Sequence, residues 1–472
     1  MSAEVRRRYA LVGTGSRARM YLAALQQTHA DVGELVALCD PNPARIGFYG
    51  RELELGALPA YGPEELDRLF AETKPDCLIV TSPDYTHDRY ICAALDHGID
   101  AVTEKPMTMD QDRLAAIMTS VARADGDLTV TFNYRYSPRN SVVRELLASG
   151  VIGEVTSVHF EWLLDTSHGA DYFRRWHRET ELSGGLLVHK STHHFDLVNW
   201  WLDDLPVRVY ARGGLKFYGA DNARRRGIGP RPRLSRDQPA GTDPFRLDLA
   251  ADPLLKGLYL DAEAADGYQR DKDVFDTGIT IEDSLSLLVD FARGTTMTYS
   301  LTAYSPWEGY RVGFNGTEGR LELEVIERGW VRSAIDQHEG RAVVDPSAVH
   351  DDAAAVDPIR PVGERIVLQR LWQRAEEVPI PAGSGSHGGG DAMLLDDVFR
   401  GPGDDPLGRA AGYLDGVRSV IVGIAGNLSL AEGRPVDTAE FGFSLVGEQP
   451  APRSTESAET AETAELAETA DR

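Results

Sequence analysis

Positive charge is the first thing this chain lacks. Lys and Arg number 49 against 74 Asp and Glu, a formal charge of −25, and a surface of that sign repels a phosphate backbone, which is bound by clustered Lys and Arg. Nucleic acid is not an expected partner. Cysteine is nearly missing too: Cys39, Cys77 and Cys92 are an odd trio within apolar segments. They imply neither a disulfide framework nor a thiolate metal site and read as buried thiols in a reducing compartment. No run of eighteen apolar residues occurs, so no membrane span is expected. Where a signal peptide would carry its apolar core, Arg6-Arg7-Arg8 runs into Tyr9-Ala10-Leu11-Val12 and a glycine turn, which points to a cytoplasmic address.

What is present suits two globular domains, since 472 residues exceed the usual single domain. From Tyr9 to about Tyr136, Tyr9–Val12, Glu34–Cys39, Cys77–Thr81, Ala101–Thr103 and Leu128–Phe132 read as buried strands. The segments between them are long enough for helical crossovers, the grammar of a doubly wound parallel sheet of Rossmann type over residues 1–136. Beyond Arg139 the pattern changes. Val142–Leu147 and Gly185–Leu202 are helix-like, Val155–Leu163 alternates as a strand, and Ser284–Phe291, Thr295–Tyr304, Tyr310–Asn315 and Gly319–Val325 follow with short turns between them.

That pattern predicts an α+β domain over 137–447 with an open-faced, mainly antiparallel sheet. The whole is thus α/β plus α+β. An apolar outer face of that sheet would need a cover, so a homo-oligomer, dimer or tetramer, is expected. Residues 213–276, rich in Arg, Pro, Gly and Asp without periodicity, form an insertion open to three readings: a flap over the substrate, a subunit contact, or disorder. Leu407–Leu430 is a further helix, and the Ala-Glu-Thr repeats of 448–472 predict a disordered acidic tail.

The first strand leads into Gly13-Thr14-Gly15-Ser16-Arg17-Ala18 and a helix-like stretch. Gly13 permits a tight turn, Gly15 lets the backbone approach a pyrophosphate, Ala18 allows close packing, and the helix N-terminus attracts negative charge. Asp40 ends the second strand, where a carboxylate accepts hydrogen bonds from the ribose hydroxyls and repels a 2′-phosphate. NAD is favoured, while Arg45 keeps NADP open.

Three further stretches carry a resemblance: Lys74 to Pro83 followed by His87, Glu104-Lys105-Pro106, and Gly184-Gly185 leading into His193 and Asp196. With the glycine turn and Asn315 to Leu321, they are similar to the Gfo/Idh/MocA family of nicotinamide-dependent oxidoreductases. The resemblance implies that Lys105 lies near the nicotinamide and the substrate hydroxyl. It also implies an Asp and a His on the helix after Gly184-Gly185; His193 holds the His place, but His189 stands where the Asp is expected. The cofactor contacts implied are Gly13, Gly15, Ser16, Arg17, Asp40, Ser82, Pro83, His87, Glu104 and Lys105.

Oxidising a carbinol needs a base on its oxygen beside a hydride acceptor on its carbon. Lys105 and His193 are the candidates, with His189 assisting; His193 starts nearest neutrality. His189, His193 and Asp196 fall on one face of a single helix, and metal ligation is disfavoured because Lys190 would put a cation beside the metal. Tyr134, Arg135, Lys190 and Trp176 are candidate substrate contacts, though Arg135 reads equally as an interdomain ion-pair partner. Trp162, Asp165, His168 and Tyr172 enrich a nearby segment in sugar-contacting types. His387-Gly388-Gly389-Gly390-Asp391 is either a sugar contact, through His387 and Asp391, or a linker before a helix cap.

The expected activity is hydride transfer between NAD and a secondary hydroxyl of a sugar, polyol or sugar derivative. The alternative is a glycoside hydrolase or lyase that cycles a tightly bound NAD with no net reduction. A non-enzymatic NAD-responsive scaffold is a third reading.

Overall fold

Apolar β-branched and aromatic runs build the first sheet. The computed structural model describes residues 6–331, 333–335, 357–383 and 389–447. In it, β1 (Arg7–Val12), β2 (Gly33–Cys39), β3 (Ala60–Tyr61), β4 (Cys77–Val80), β5 (Asp100–Glu104) and β6 (Leu128–Thr131) pair in parallel in the order 3-2-1-4-5-6. β1 and β4 carry nothing but buried residues at their C-terminal ends, as expected where helices cover both faces. The order reverses between β1 and β4, and the crevice outside the strand ends at such a reversal is where open α/β sheets bind ligands.

The second sheet has nine strands: β7 (Val155–Asp165), β8 (Pro206–Gly214), β9 (Ser284–Phe291), β10 (Thr296–Ser305), β11 (Glu308–Gly316), β12 (Gly319–Arg328), β13 (Gly363–Arg370), β14 (Glu376–Val378) and β15 (Val436–Asp437). Their order is 14-13-12-11-7-10-9-8-15, antiparallel except for the central pair β7 and β10. Strict alternation puts Val158, Phe160, Trp162, Tyr299, Leu301, Val312 and Leu323 inside. Helix Thr192–Leu202 covers that face through Phe195 against Tyr299 and Trp201 against Phe160 and Phe314, and helix Tyr413–Glu432 packs on β8 and on Thr192–Leu202. Tyr413–Glu432 is long and apolar enough by composition to cross a bilayer, but it is a largely buried core helix here.

The opposite face corrects one expectation. It is not apolar: His159, Glu161, Ser286, Thr298, Arg311, Glu322 and Glu324 look outward from neighbouring strands, with Leu288 among them. Strand alternation makes one face apolar only, so the polar positions of each strand collect on the other.

A second correction concerns Gly185–Leu202. It is two helices, Gly185–His189 and Thr192–Leu202, broken at Lys190-Ser191. The Ser191 hydroxyl and the His194 ring both bond Tyr299 Oη on the sheet, at 2.9 and 2.7 Å, which ties the start of the second helix to β10. His189 and Asp196 therefore do not share one helix face. Asp196 turns away from His189 to Arg135.

Within 213–276, Gly213 and Gly214 still belong to β8, and the flanks pack on the second domain, Phe217 stacking on Tyr304 and Tyr218 Oη donating to Ala303 O at 2.9 Å. Residues 247–268 are an arm laid on the first domain. Leu247, Leu249, Leu255, Leu258 and Tyr259 bury themselves with Tyr9, Tyr21, Leu22 and Tyr49 in one apolar cluster, each such side chain worth about 1.5–3 kcal/mol. The approach depends on Gly257, where a Cβ would stand 2.1 Å from the Phe48 ring. Asn42 Nδ2 donates to Ala262 O at 3.0 Å and Arg45 Nε to Leu258 O at 3.1 Å. The expected tail, 448–472, lies outside the described residues.

Candidate active site

A cleft of about 900 Å³ runs along the C-terminal ends of the parallel strands, between the glycine turn and the helix pair after Gly184-Gly185. Gly13, Gly15, Ser16, Arg17, Asp40, Ser82, Pro83, His87, Glu104, Lys105, Tyr134, Trp176, His189, Lys190, His193 and Asp391 all line it. Arg135 does not reach it. His387 lies outside the described residues.

At the nucleotide end, Gly13 has φ +89°, and a Cβ there would stand 2.4 Å from the Ser82 backbone, so only glycine is tolerated. Gly15 is open on its cleft side: within 4 Å of a Cβ there lies only Tyr259 Oη, at 3.6 Å. The Ser16 N–H donates to the same hydroxyl at 3.0 Å, so this amide of the turn faces the cleft, the cradle that a pyrophosphate requires. Asp40 is held rigidly, Oδ2 accepting from Thr14 N–H at 2.6 Å and Oδ1 from Asn42 N–H at 2.7 Å. These features fit a dinucleotide.

Glu104, the last residue of β5, accepts from Arg17 Nε at 2.6 Å and Tyr21 Oη at 2.7 Å. It therefore braces the glycine turn. His87 lines the cleft floor, with its ring nitrogens 2.8 Å from Pro106 O and 2.9 Å from Ser82 O. Its ring thus lies between the carbonyls that follow β4 and β5, one of them next to Lys105, and burial, which lowers its pKa, favours the neutral form that donates to one of the two.

Lys105 Nζ donates to His189 O at 3.3 Å. Burial pushes its pKa down to about 8 against the pull of Asp84 and Glu104. The His189 ring meets Asp84, Nδ1 to Oδ2 at 2.6 Å, within a cage of Trp176, His177 and Tyr172 at ring separations of 5.7, 4.1 and 5.6 Å. Burial holds Asp84 up and His189 well down, the latter also through Lys105. Both shifts favour the neutral forms.

His193 stacks on Tyr134 at 4.3 Å. Lys190 Nζ donates to Tyr134 Oη at 3.2 Å and lies 4.9 Å from the Trp162 ring centroid. Asp391 opens helix Gly390–Arg400 and accepts from Asn133 Nδ2 at 2.7 Å.

Arg135 is corrected from substrate contact to internal brace. Its side chain is 3% exposed and grips Asp196 at 2.5 and 2.8 Å and Asp415 at 3.1 Å; two carboxylates outbid a neutral hydroxyl for one guanidinium. Trp162 is core, stacked between His194 and Tyr310 at 3.9 and 4.4 Å. Asp165 is fully buried and paired with Arg328 at 2.6 Å. His168 and Tyr172 do reach the cleft and are joined: Glu308 Oε1 lies 2.7 Å from His168 Nδ1, and His168 Nε2 lies 3.0 Å from Tyr172 Oη.

Asp84, Arg175, His177, Tyr259, Asp266 and Tyr268 also line the cleft without having been singled out by sequence. Asp84 carried a usable signal, two residues after Ser82 at the C-terminal end of a strand, where such sheets collect functional groups. The arm residues carried none, because their position depends wholly on tertiary packing.

Comparison with known proteins agrees with this geometry. The model of the GFO_IDH_MocA oxidoreductase family's NAD-binding Rossmann fold matches residues 7–132, and that of its C-terminal alpha/beta domain matches 144–438. The chain is similar to the putative oxidoreductase YteT of Bacillus subtilis, at 34% identity over 450 residues covering 91% of this chain and 97% of that protein. It is similar to the inositol 2-dehydrogenase of Rhizobium meliloti, at 29% identity over 208 residues, 43% of this chain and 57% of that one. The crystal structure of the WlbA dehydrogenase from Bordetella pertussis, in complex with NADH and UDP-GlcNAcA, superposes with a TM-score of 0.58 at 16% identity, covering 92% of this chain and 99% of that one. That likeness is one of fold.

Proposed function

The chain belongs to the Gfo/Idh/MocA oxidoreductase family, and on that premise we propose that it transfers a hydride between NAD and a secondary hydroxyl of a sugar, polyol or sugar derivative. The observation that carries the reading is Lys105: a buried amine with a lowered pKa, in one cleft with the glycine turn and with His189 and His193. Gly13, Gly15, Ser16 and Asp40 would hold the dinucleotide, whose nicotinamide supplies the hydride acceptor when bound.

The protein's own part is proton handling and orientation. Lys105, desolvated and anchored on His189 O, takes the hydroxyl proton directly or passes it to His193, its burial making the neutral amine accessible near neutral pH. Asp84 fixes the His189 ring; in the neutral pair one proton lies in their hydrogen bond, and His189 Nε2 is left as a donor to a second substrate oxygen. Tyr134, Lys190 and Trp176 add the aromatic face and polar tips that a polyhydroxylated ligand needs. The named activity of the inositol 2-dehydrogenase relative supports a polyol or sugar as substrate.

A second reading is favoured by the Glu308–His168–Tyr172 chain. Burial alone would raise Glu308, but His168 and Arg328 outweigh it and hold it near 2, while burial raises Tyr172 well above its ordinary value. A neutral phenol backed by an imidazole and an ionised carboxylate is a second acid–base unit in the same cleft. Oxidation at one carbon acidifies the neighbouring C–H. With that proton taken by His193, a substituent on the next carbon would leave, its oxygen taking the Tyr172 proton. Water adding to the resulting double bond would return a proton to the phenolate, the His193 proton would go back to carbon, and return of the hydride to the carbonyl would leave no net NADH.

One experiment tests both. Free sugars, polyols and aryl glycosides are offered with and without NAD, and nicotinamide reduction and leaving-group release are followed together. Reduction that scales with substrate is expected; catalytic release without reduction would replace the first reading by the second. Saturable NAD binding with neither signal would overturn both and leave a nucleotide-responsive scaffold.

A further inference from the structure

The arm reaches beyond the glycine turn to the Asp40 end of the cleft, and what it brings there bears on which dinucleotide is taken. Arg45 is the cation beside Asp40, Nη1 lying 3.8 Å from Asp40 Oδ1. In the first domain alone its guanidinium would be available to a 2′-phosphate, the usual way such a site accommodates NADP. With the arm in place it is not. Nη2 lies 2.8 Å from Asp266 Oδ2, Nε donates to Leu258 O at 3.1 Å, and the guanidinium carbon lies 5.7 Å and 5.6 Å from the ring centroids of Tyr259 and Tyr268. The Arg45 side chain is 11% exposed and that of Asp266 19%. Asp266 is itself oriented, since it accepts from Tyr268 N–H at 3.0 Å.

We propose that Asp266 is a second nucleotide-selecting carboxylate, which neutralises and immobilises Arg45 from the arm and so makes the cleft choose NAD over NADP. Asp40 discriminates by facing the ribose, and Asp266 by withdrawing the cation that would otherwise receive the extra phosphate. The inference rests on the nicotinamide reading above and adds to it how the dinucleotide is picked. Arg89, which also borders the cleft, is engaged elsewhere, donating to Pro63 O at 2.7 Å and to Glu64 Oε2 at 3.2 Å. It serves as the control.

Equilibrium binding of NADH and NADPH to the full chain, read by reduced-nicotinamide fluorescence, tests this without any substrate. Asp266→Asn retains a side-chain oxygen for the Tyr268 amide while removing the charge. It is expected to shift affinity toward NADPH, relative to NADH, by roughly tenfold, because a freed guanidinium pairs with phosphate. Adding Arg45→Ala to that variant abolishes the shift, and Arg89→Ala in the parent leaves the ratio within about twofold, the size of a weak exposed contact. Asp266→Ser makes the same test if Asn disturbs the arm, thermal melting being the check. An unchanged ratio in a folded Asp266 variant, or a shift that survives Arg45→Ala, overturns the proposal. Failure of the parent to bind either nucleotide would overturn the nicotinamide reading itself, and this inference with it.

Discussion

Asp84 and His189 meet at 2.6 Å, a carboxylate from the end of the parallel sheet against an imidazole from the helix after Gly184-Gly185. The family resemblance places an aspartate at position 189. Here the carboxylate comes from the first domain instead and reaches the cleft through a histidine. Burial drives both groups toward their neutral forms, so the pair places a hydrogen-bond donor where a carboxylate at 189 would place an acceptor.

The pair is testable by exchange. His189→Asp sets two buried carboxylates against each other, and one must then hold a proton against its neighbour's charge. Turnover on a substrate found in the sugar and polyol panel is expected to fall by at least about tenfold, which corresponds to about 1.4 kcal/mol and lies within the range of about 0.5–3 kcal/mol for coupling between touching groups. The exchange variant Asp84→His/His189→Asp should recover most of the loss. A double-mutant cycle with no coupling would show that the two residues act separately.

Arg135 offers a separation of structure from function. Arg135→Ala leaves Asp196 and Asp415 facing each other without their cation; burial already lifts Asp196 to about 7 despite Arg135. Removing one member of a buried ion pair costs about 3–5 kcal/mol, so Tm should drop markedly while NADH affinity in the folded fraction is unchanged. A raised KM at unaltered Tm would return Arg135 to the substrate.

Local signals made much of this legible. The parallel sheet was readable because strands buried on both faces are continuous apolar runs, and the glycine turn because its Gly13-x-Gly15 spacing has a steric cause. Lys105 was readable from its tripeptide in that context. The Asp84–His189 pair, the Tyr299 tether beside the helix break at Lys190-Ser191, and the seating of Tyr259 on the Ser16 amide were not. Each joins residues far apart in the chain, and no periodicity encodes such a contact. The arm was the hardest case, because its apolar residues answer to a neighbouring domain and not to a helix or strand of their own.

Tyr172 separates the two catalytic readings. Tyr172→Phe removes the hydroxyl that lies 3.0 Å from His168 Nε2 and changes little else. If the Glu308–His168–Tyr172 chain delivers a proton to a leaving oxygen, this substitution should lower glycoside release by about 10²-fold or more, with NADH affinity unchanged. Glu308→Gln should act in the same direction. Equal effects on release and on hydride exchange would make Tyr172 a positioning residue for the first step only.

Lys105 gives the pH dependence its sign. Burial sets its pKa at about 8, and as the base for alcohol oxidation the amine must be neutral. The value of kcat/KM in that direction is therefore expected to rise with pH and level off above about 8, whereas carbonyl reduction needs the ammonium form and falls over the same range. Lys105→Arg keeps a positive charge that does not titrate here, so the rise should vanish and turnover drop by about 10²–10⁴-fold. Lys105→Ala should lose as much and regain part of it with added primary amines, whose rescue would follow the amine's own pKa. An unshifted profile in Lys105→Arg would assign the titration to His193 and reduce Lys105 to orienting the hydroxyl.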